Sequence, residues 1–257
     1  MLRSSVRSAI RDLTLDLAAL VWPTECVSCA APDRDCCASC LGELRRTTPV
    51  RPLSLGVPAF VFGPYEGPCR ALLVAFKHDN RFGFRRTLGA LLRGPLTAGL
   101  SLARSAQGPL IVTVPSRPSR VRRRGYRHVD VLARMAMRGT TLRTCRALRT
   151  TRGRVGQVGL GSEGRALNAA RIAVRRAFGA KVRGREVVLV DDIVTTGATV
   201  FAAREALENA GATVIAIVAL CVAERRDTRR GNESGNGESE WSRLPERRKG
   251  APHWPTA

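Results

Sequence analysis

Short apolar runs alternate with amphipathic stretches through the central part of the chain. Compact apolar runs occur at Leu110–Val114, Glu186–Val190 and Thr213–Leu220, and their length is typical of buried strands. Between them, Val129–Met137 and Val200–Ala210 repeat apolar side chains every three to four positions, which predicts helices. Strands that alternate with helices indicate a parallel sheet with both faces covered. The predicted fold class is therefore α/β.

The pattern before residue 107 is less regular. Residues 5–21 repeat apolar side chains at helical spacing and predict an amphipathic helix. Glu66–Lys77 and Phe84–Leu92 predict two further helices, and Ala59–Phe62 predicts a short strand. The proline-rich stretch 47–58 predicts a linker.

Residues 187–199 carry the most specific motif. Asp191 and Asp192, the acid pair, follow an apolar strand at its carboxyl end, where open α/β sheets bind ligands. The next loop opens a helix, and its N–H and hydroxyl groups suit a phosphate. Carboxylates repel phosphate and suit sugar hydroxyls or a hydrated divalent cation instead. The motif predicts a sugar-phosphate site whose phosphate loop is Thr195, Thr196, Gly197, Ala198 and Thr199.

This thirteen-residue run resembles the phosphoribosyl-pyrophosphate (PRPP) motif of type I phosphoribosyltransferases. The resemblance implies their fold, a parallel sheet flanked by helices. It also implies that PRPP, or a related sugar phosphate, binds together with Mg²⁺. In that family the acid pair contacts the ribose hydroxyls, so Asp191 and Asp192 are the candidate catalytic residues, and the phosphate loop holds the 5′-phosphate.

The segment after Leu110–Val114 is strongly basic, with six arginines within residues 117–127. As a cluster they predict an anion site, although any single one is better explained as a solvated side chain. The segment resembles the ComF subset of the superfamily, in which a basic stretch ends in Arg-Gly-Phe-Asn-Gln. Here Arg127 and His128 replace the Asn-Gln pair. The candidate pyrophosphate-binding residues are Ser116, Arg117, Arg122, Arg123 and Arg124.

A third stretch has the ComF spacing and suggests a loop that closes over the site. Residues 150–164 are rich in glycine and serine and predict a mobile loop. In related transferases such a loop excludes water from the reactive ribosyl centre. A plain surface loop is the alternative. The candidate loop residues are Arg149, Thr150, Gln157, Arg165 and Asn168.

Cysteine spacing predicts a structural zinc site. Two Cys-x-x-Cys turns present the thiols of Cys26, Cys29, Cys37 and Cys40, the four-ligand pattern of tetrahedral zinc. Cys36 is an alternative to Cys37, and disulfides or a redox dithiol are competing interpretations. An N-terminal module of this kind also resembles the ComF arrangement. The remaining cysteines are predicted to be isolated core residues, and they are Cys69, Cys145 and Cys221.

Composition adds a large positive charge. The chain has 43 basic and 21 acidic residues, a net charge of +22. Only three of the basic residues are lysines, namely Lys77, Lys181 and Lys249. Such a charge favours polyanionic partners, including nucleotides and nucleic acids. The longest apolar run, Ala212–Ala223, is too short for a membrane span, and no signal peptide pattern is present, so we expect a cytoplasmic protein with reduced thiols.

The resemblance divides the chain into five regions. Their predicted bounds are 1–24 for an amphipathic N-terminal helix, 25–45 for a four-cysteine zinc-binding module, 46–106 for a linker and hood-like region, 107–223 for the phosphoribosyltransferase core and 224–257 for a disordered tail. The hood selects the acceptor in this superfamily and varies between members. The sequence therefore does not identify the acceptor.

The leading interpretation is a ComF-like phosphoribosyltransferase that transfers phosphoribosyl to an unidentified acceptor, with Mg²⁺, and releases pyrophosphate. Two alternatives stay open: a single-stranded DNA-binding competence factor on the same fold, and a PRPP-sensing regulator without turnover. The net charge favours DNA binding, but only 5% of residues are aromatic, which leaves few side chains for base stacking. The sequence also leaves open whether the chain forms a homo-oligomer.

Overall fold

The computed structural model describes residues 25–32, 34–46, 51–151 and 172–223, without the side chains of 51–54. Several predicted features lie outside the described residues. They are the helix at 5–21, the tail at 224–257, and the loop residues Gln157, Arg165 and Asn168.

Helices and strands occur throughout the described chain. The helices are α1 (Ala38–Arg46), α2 (Gly67–His78), α3 (Arg85–Leu100), α4 (Pro118–Arg124), α5 (His128–Ala136), α6 (Gly179–Val182) and α7 (Ala198–Glu208). The strands are β1 (Arg51–Ser54), β2 (Pro58–Pro64), β3 (Leu110–Thr113), β4 (Thr144–Cys145), β5 (Leu148–Thr150), β6 (Ile172–Val174), β7 (Glu186–Val190), β8 (Ile193–Val194) and β9 (Thr213–Val222).

A mostly parallel sheet forms the centre of the described structure. Its strand order is β1-β2-β9-β7-β3-β4, and β8 pairs with β9. Only the β1–β2 pair is antiparallel within this sheet. Strands β5 and β6 form a separate antiparallel pair. The predicted α/β class is confirmed.

Both faces of the sheet are buried, which explains the unbroken apolar runs of its central strands. Val187, Val188, Leu189 and Val190 of β7 have no exposed surface. Helices α2, α3 and α5 cover one face, and α7 covers the other. Gly99 lets α3 approach the sheet closely, because a Cβ there would lie 2.7 Å from Val218 Cγ2.

Three sequence predictions differ from the structure. The predicted linker at 47–58 contains β1, an edge strand that tolerates proline because one of its sides needs no ladder hydrogen bonds. The helix predicted to end at Leu92 continues through Pro95 to Leu100. The basic segment, expected as a loop, forms the short helix α4.

The region predicted as 46–106 packs on the central sheet in its described part. Strand β2 pairs in parallel with β9, and α3 contacts β2, β7 and β9. Cys69 and Cys145 are 4% exposed and Cys221 is fully buried, as expected for core residues. Cys69 and Cys221 are not isolated, however, since their sulfur atoms lie 3.1 Å apart. None of the described helices has the length and apolar character that a membrane crossing requires.

Candidate functional site

The acid pair lies where β7 ends, at the carboxyl edge of the sheet. The Asp191 N–H donates to the Val218 carbonyl at 2.8 Å, and the Cys221 N–H donates to the Asp192 carbonyl at 3.0 Å. These bonds to β9 fix the backbone of both acids. The residues are 7% and 6% exposed, so both carboxyl groups are largely removed from water.

Two nitrogen groups clamp one oxygen of Asp192. The Lys77 Nζ lies 2.5 Å and the His128 Nε2 lies 2.6 Å from Asp192 Oδ2. The other oxygen, Oδ1, accepts the Ile193 N–H at 2.9 Å. Burial opposes ionisation of Asp192, but His128 and Lys77 outweigh it and hold the pKa of this carboxyl well below its usual value. Asp192 therefore lies at ion-pair distance from both groups, although its buried Oδ2 atom forms no well-aligned hydrogen bond with either.

Arg124 joins the two groups that clamp Asp192. Its Nη1 group donates to His128 Nδ1 at 2.6 Å, and its Nε donates to the Lys77 carbonyl at 2.7 Å. Because a guanidinium only donates, Nδ1 accepts, which leaves the ring proton on Nε2, the nitrogen that lies 2.6 Å from Asp192 Oδ2. The structure thus places Arg124, a predicted pyrophosphate ligand, in the support of the acid pair.

Asp191 has the opposite electrostatic setting. Its Oδ1 accepts the Asp192 N–H at 2.8 Å. Burial, and then the neighbouring charge of Asp192, raise the pKa of Asp191 well above its usual value. The pKa values of the two carboxyl groups in the acid pair are therefore displaced in opposite directions, so Asp192 ionises more readily than Asp191.

The phosphate loop follows β8 and leads into α7. Thr195, Thr196 and Thr199 are exposed, whereas Gly197 is buried with φ +75°. A Cβ on Gly197 would lie 2.6 Å from the ring of Phe201, so both backbone conformation and space favour glycine. Gly197, the N-cap residue of α7, has no side chain to cap the helix, and the Ala198 N–H donates only a long hydrogen bond, of 3.4 Å, to Thr196 Oγ1. This helix N-terminus therefore suits an anion.

The other predicted anion ligands lie near the carboxyl end of β3. Arg117, Arg122 and Arg123 are exposed on or next to α4, and Ser116 Oγ lies 3.2 Å from His128 Nδ1. A small cleft next to Ser116 contains further charged side chains that the sequence did not single out. It is lined by Thr113, Val114, Pro115, Ser116, Arg127, Asp130, Arg146 and Leu148.

Asp130 anchors this cleft from within the core. It is 3% exposed, it accepts the Thr113 hydroxyl, and its Oδ2 lies 2.6 Å from Arg146 Nε. The side chain of Arg146 is half exposed, so its remaining N–H groups face the cleft and solvent. Among the predicted loop residues, Arg149 and Thr150 are described, and both lie on β5.

The predicted zinc ligands converge. Sulfur atoms of Cys26 and Cys40 are 3.8 Å apart, those of Cys29 and Cys37 are 3.5 Å apart, and all four lie within 4.8 Å of one another. A tetrahedral zinc ion with bonds of about 2.3 Å requires sulfur separations of about 3.8 Å, so the group fits zinc. Cys36 lies outside the group, with its thiol directed at the Cys37 carbonyl.

Local hydrogen bonds prepare the cysteine group for a cation. Burial opposes ionisation of Cys26, but the Cys37 N–H, 3.4 Å from its sulfur, and other backbone donors lower its pKa to about 6. All eight cysteines are free thiols, so no disulfide competes within this structure. Four sulfur donors select a soft metal ion over magnesium or calcium.

The cysteine module rests on the α/β core. Leu44 of α1 is 4% exposed within the main apolar cluster, and Val27 and Leu41 pack against the same cluster. Asp35 forms an ion pair with Arg81, just after α2. The module is therefore attached to the helix that carries Lys77.

No sequence signal assigned a role to Lys77, Asp130 or Arg146, and His128 entered only as a departure from the ComF pattern. Lys77 and His128 lie far in sequence from Asp192, which they contact. Asp130 and Arg146 lie on different elements from each other. The rarity of lysine in this chain was the available hint for Lys77.

Comparisons with known proteins agree with this geometry. A family model described as a phosphoribosyl transferase domain matches residues 163–240, which include the acid pair and the phosphate loop. The chain is 28% identical to competence protein F of Haemophilus influenzae over 166 residues, which are 62% of this chain and 70% of that protein.

Proposed function

We propose that this chain, which is a ComF-like protein of the phosphoribosyltransferase family, binds PRPP and transfers its phosphoribosyl group to an acceptor with release of pyrophosphate. The observation that carries the proposal is the β7–α7 connection. It presents two carboxyl groups for a sugar and, a few residues later, a helix N-terminus for a phosphate.

Each part of PRPP has a matching feature. The ribose hydroxyls face Asp191 and Asp192, and the 5′-phosphate occupies the phosphate loop. The pyrophosphate lies toward Ser116 and the exposed arginines Arg117, Arg122 and Arg123, whose guanidinium groups suit bidentate contacts. Mg²⁺ bound by the pyrophosphate group of PRPP would supply further positive charge to the leaving group. The acceptor attacks the anomeric carbon, and the arginines stabilise the departing pyrophosphate.

Binding of PRPP is tested by thermal unfolding of the full chain with Mg²⁺. At 100 times its dissociation constant, PRPP stabilises the protein by about 2.7 kcal/mol, which raises Tm by roughly 5–10 °C. We expect the Asp191→Asn/Asp192→Asn variant to lose this shift. Asp79→Asn, a control at the exposed end of α2, should retain it. A wild type without any shift would contradict PRPP binding.

Turnover is tested separately by pyrophosphate release with candidate acceptors. Release that requires the acid pair supports a transferase. A PRPP-dependent Tm shift without release from any acceptor favours the PRPP-sensing regulator.

Single-stranded DNA binding is a second candidate function, favoured by one aromatic cluster. Phe82 is 39% exposed, its ring centroid lies 4.9 Å from that of Tyr126, and Arg85 Cζ lies 4.2 Å above it. The exposed arginines of α4 adjoin Tyr126 in sequence. Aromatic rings next to guanidinium groups are the surface on which unpaired bases stack while the backbone phosphates are neutralised.

We expect Phe82→Ala to weaken binding of a single-stranded oligonucleotide, because stacking contributes about 1–3 kcal/mol per base, or roughly 5- to 150-fold. The measurement is fluorescence anisotropy at several salt concentrations, and affinity should fall steeply with salt. Leu102→Ala is the matched control, since Leu102 is also exposed but lies outside the cluster. Equal affinity of the two variants, or binding insensitive to salt, would contradict this function.

A further inference from the structure

Lys77 is an exception in a chain whose basic residues are almost all arginines. It is one of three lysines, and its side chain is 14% exposed. Its ammonium group lies 2.5 Å from Asp192 Oδ2. Lys181, the other lysine among the described residues, instead has its ammonium group 6.0 Å from the centroid of the Phe178 ring.

The two carboxylate oxygens of Asp192 are poorly placed to coordinate a divalent cation. Oδ1 accepts the Ile193 N–H, and Oδ2 already faces both Lys77 Nζ and His128 Nε2. Magnesium requires close to octahedral coordination by oxygens at about 2.0–2.1 Å, and nitrogen donors with attached protons occupy that space. A second cation would also meet repulsion from the Lys77 ammonium and the Arg124 guanidinium.

Lys77 is held firmly in this position. Its carbonyl accepts Arg124 Nε at 2.7 Å, and the carbonyl of Phe76 accepts the Tyr126 hydroxyl. Phe76 itself is fully buried in the core. These hydrogen bonds fix the backbone at the end of α2 against the segment that carries His128. The Lys77 side chain therefore extends from a fixed backbone position.

We propose that Lys77 is the resident cation of the acid pair. It supplies the positive charge at Asp192, so this carboxylate does not coordinate a divalent ion. Any divalent ion arrives bound to the ligand's own phosphates and stays away from Asp192. Lysine suits this position better than arginine. An ammonium group can pair with one carboxylate oxygen, whereas a guanidinium group pairs best with two oxygens at once.

The first test uses Mn²⁺ alone, as a paramagnetic substitute for Mg²⁺, with the zinc-loaded full chain and no sugar phosphate. Free Mn²⁺ is measured by electron paramagnetic resonance. We expect wild type and the control Lys181→Met to bind no Mn²⁺ at Asp192. The Asp192→Asn substitution should therefore leave the Mn²⁺ binding of both proteins unchanged. Lys77→Met should gain an Asp192-dependent Mn²⁺ site, with an affinity at least tenfold above the detection limit that applies to wild type. The double variant Lys77→Met/Asp192→Asn should lack this site. Lys77→Arg, which keeps the charge, should bind as little Mn²⁺ as wild type.

Two outcomes overturn the proposal. One is a wild-type Mn²⁺ site that disappears in Asp192→Asn, and the other is a folded Lys77→Met variant that gains no site. If Lys77→Met does not fold, the comparison of wild type with Asp192→Asn still decides the matter.

The second test rests on the proposed function and uses PRPP. With EDTA in place of Mg²⁺, wild type should lose no more than tenfold in PRPP affinity, whereas Lys77→Met should lose at least a hundredfold. Equal losses in the two proteins would overturn the role of Lys77. A wild type that binds no PRPP under either condition would refute the proposed function, while the Mn²⁺ result would still decide the inference about Lys77.

Discussion

Removal of the metal from the four-cysteine group is expected to unfold residues 25–46. Structural zinc contributes about 10–16 kcal/mol in small cysteine modules. Here the module has one short helix and few buried apolar side chains of its own, chiefly Leu44. We therefore expect its fold to depend on a metal ion that Cys26, Cys29, Cys37 and Cys40 would hold together. Metal content and hydrogen exchange of residues 25–46 measure this effect, before and after treatment with a chelator.

The cysteine variants provide the control. Cys26→Ser/Cys40→Ser should contain less than a tenth of the wild-type zinc, whereas Cys36→Ser should retain full loading, because Cys36 lies outside the sulfur group. Full loading of the double variant would contradict the site. Loss of zinc in Cys36→Ser would instead indicate that Cys36 is a ligand.

Neutralising the two acids of the acid pair is expected to change stability in opposite directions at pH 7. Asp192→Asn should destabilise by about 3–5 kcal/mol, because it removes the partner of the buried Lys77 and His128 groups. Asp191→Asn should be neutral or stabilising, since it replaces an acid whose raised pKa makes ionisation of the folded protein costly. Urea unfolding with matched m-values measures both effects.

The pH dependence follows from the same two shifts. Asp192 has a lowered pKa, so its contribution is present above the unfolded pKa of about 3.9 and is lost as pH falls through its folded pKa. Asp191 has a raised pKa, so its contribution is present below about 3.9 and is lost as pH rises toward its folded pKa. Asp192→Asn should therefore remove the loss of stability at low pH. Asp191→Asn should remove the loss of stability that occurs as pH rises. Identical pH profiles for the two variants would contradict this division of roles.

Features encoded within a few residues could be predicted from the sequence. Strand β7, the acid pair and the phosphate loop form one continuous run, and the four cysteines signal their function by spacing alone. The central sheet follows from apolar runs whose length and composition indicate burial on both faces. Strand β1 was missed because proline normally disfavours a strand, although an edge position permits it.

The surroundings of the acid pair could not be predicted in this way. Lys77 and His128 reach Asp192 from α2 and α5, and nothing in the local sequence of either residue encodes that meeting. Arg124 looked like one of several phosphate ligands, yet its hydrogen bonds to Lys77 and His128 depend on how α4 packs against α2. The ion pair of Asp130 and Arg146 also depends on packing, because α5, which carries Asp130, contacts β4, the strand that immediately precedes Arg146.

The attachment of the cysteine module to the end of α2 gives the metal an influence beyond its own ligands. Asp35 pairs with Arg81, and Arg81 follows by four residues the lysine that faces Asp192. The cysteine module therefore contacts the chain just beyond the end of α2, which carries Lys77. We expect loss of a metal ion from the four cysteines to weaken this exposed contact and to affect Lys77 only in part, because Arg124 still holds the Lys77 carbonyl.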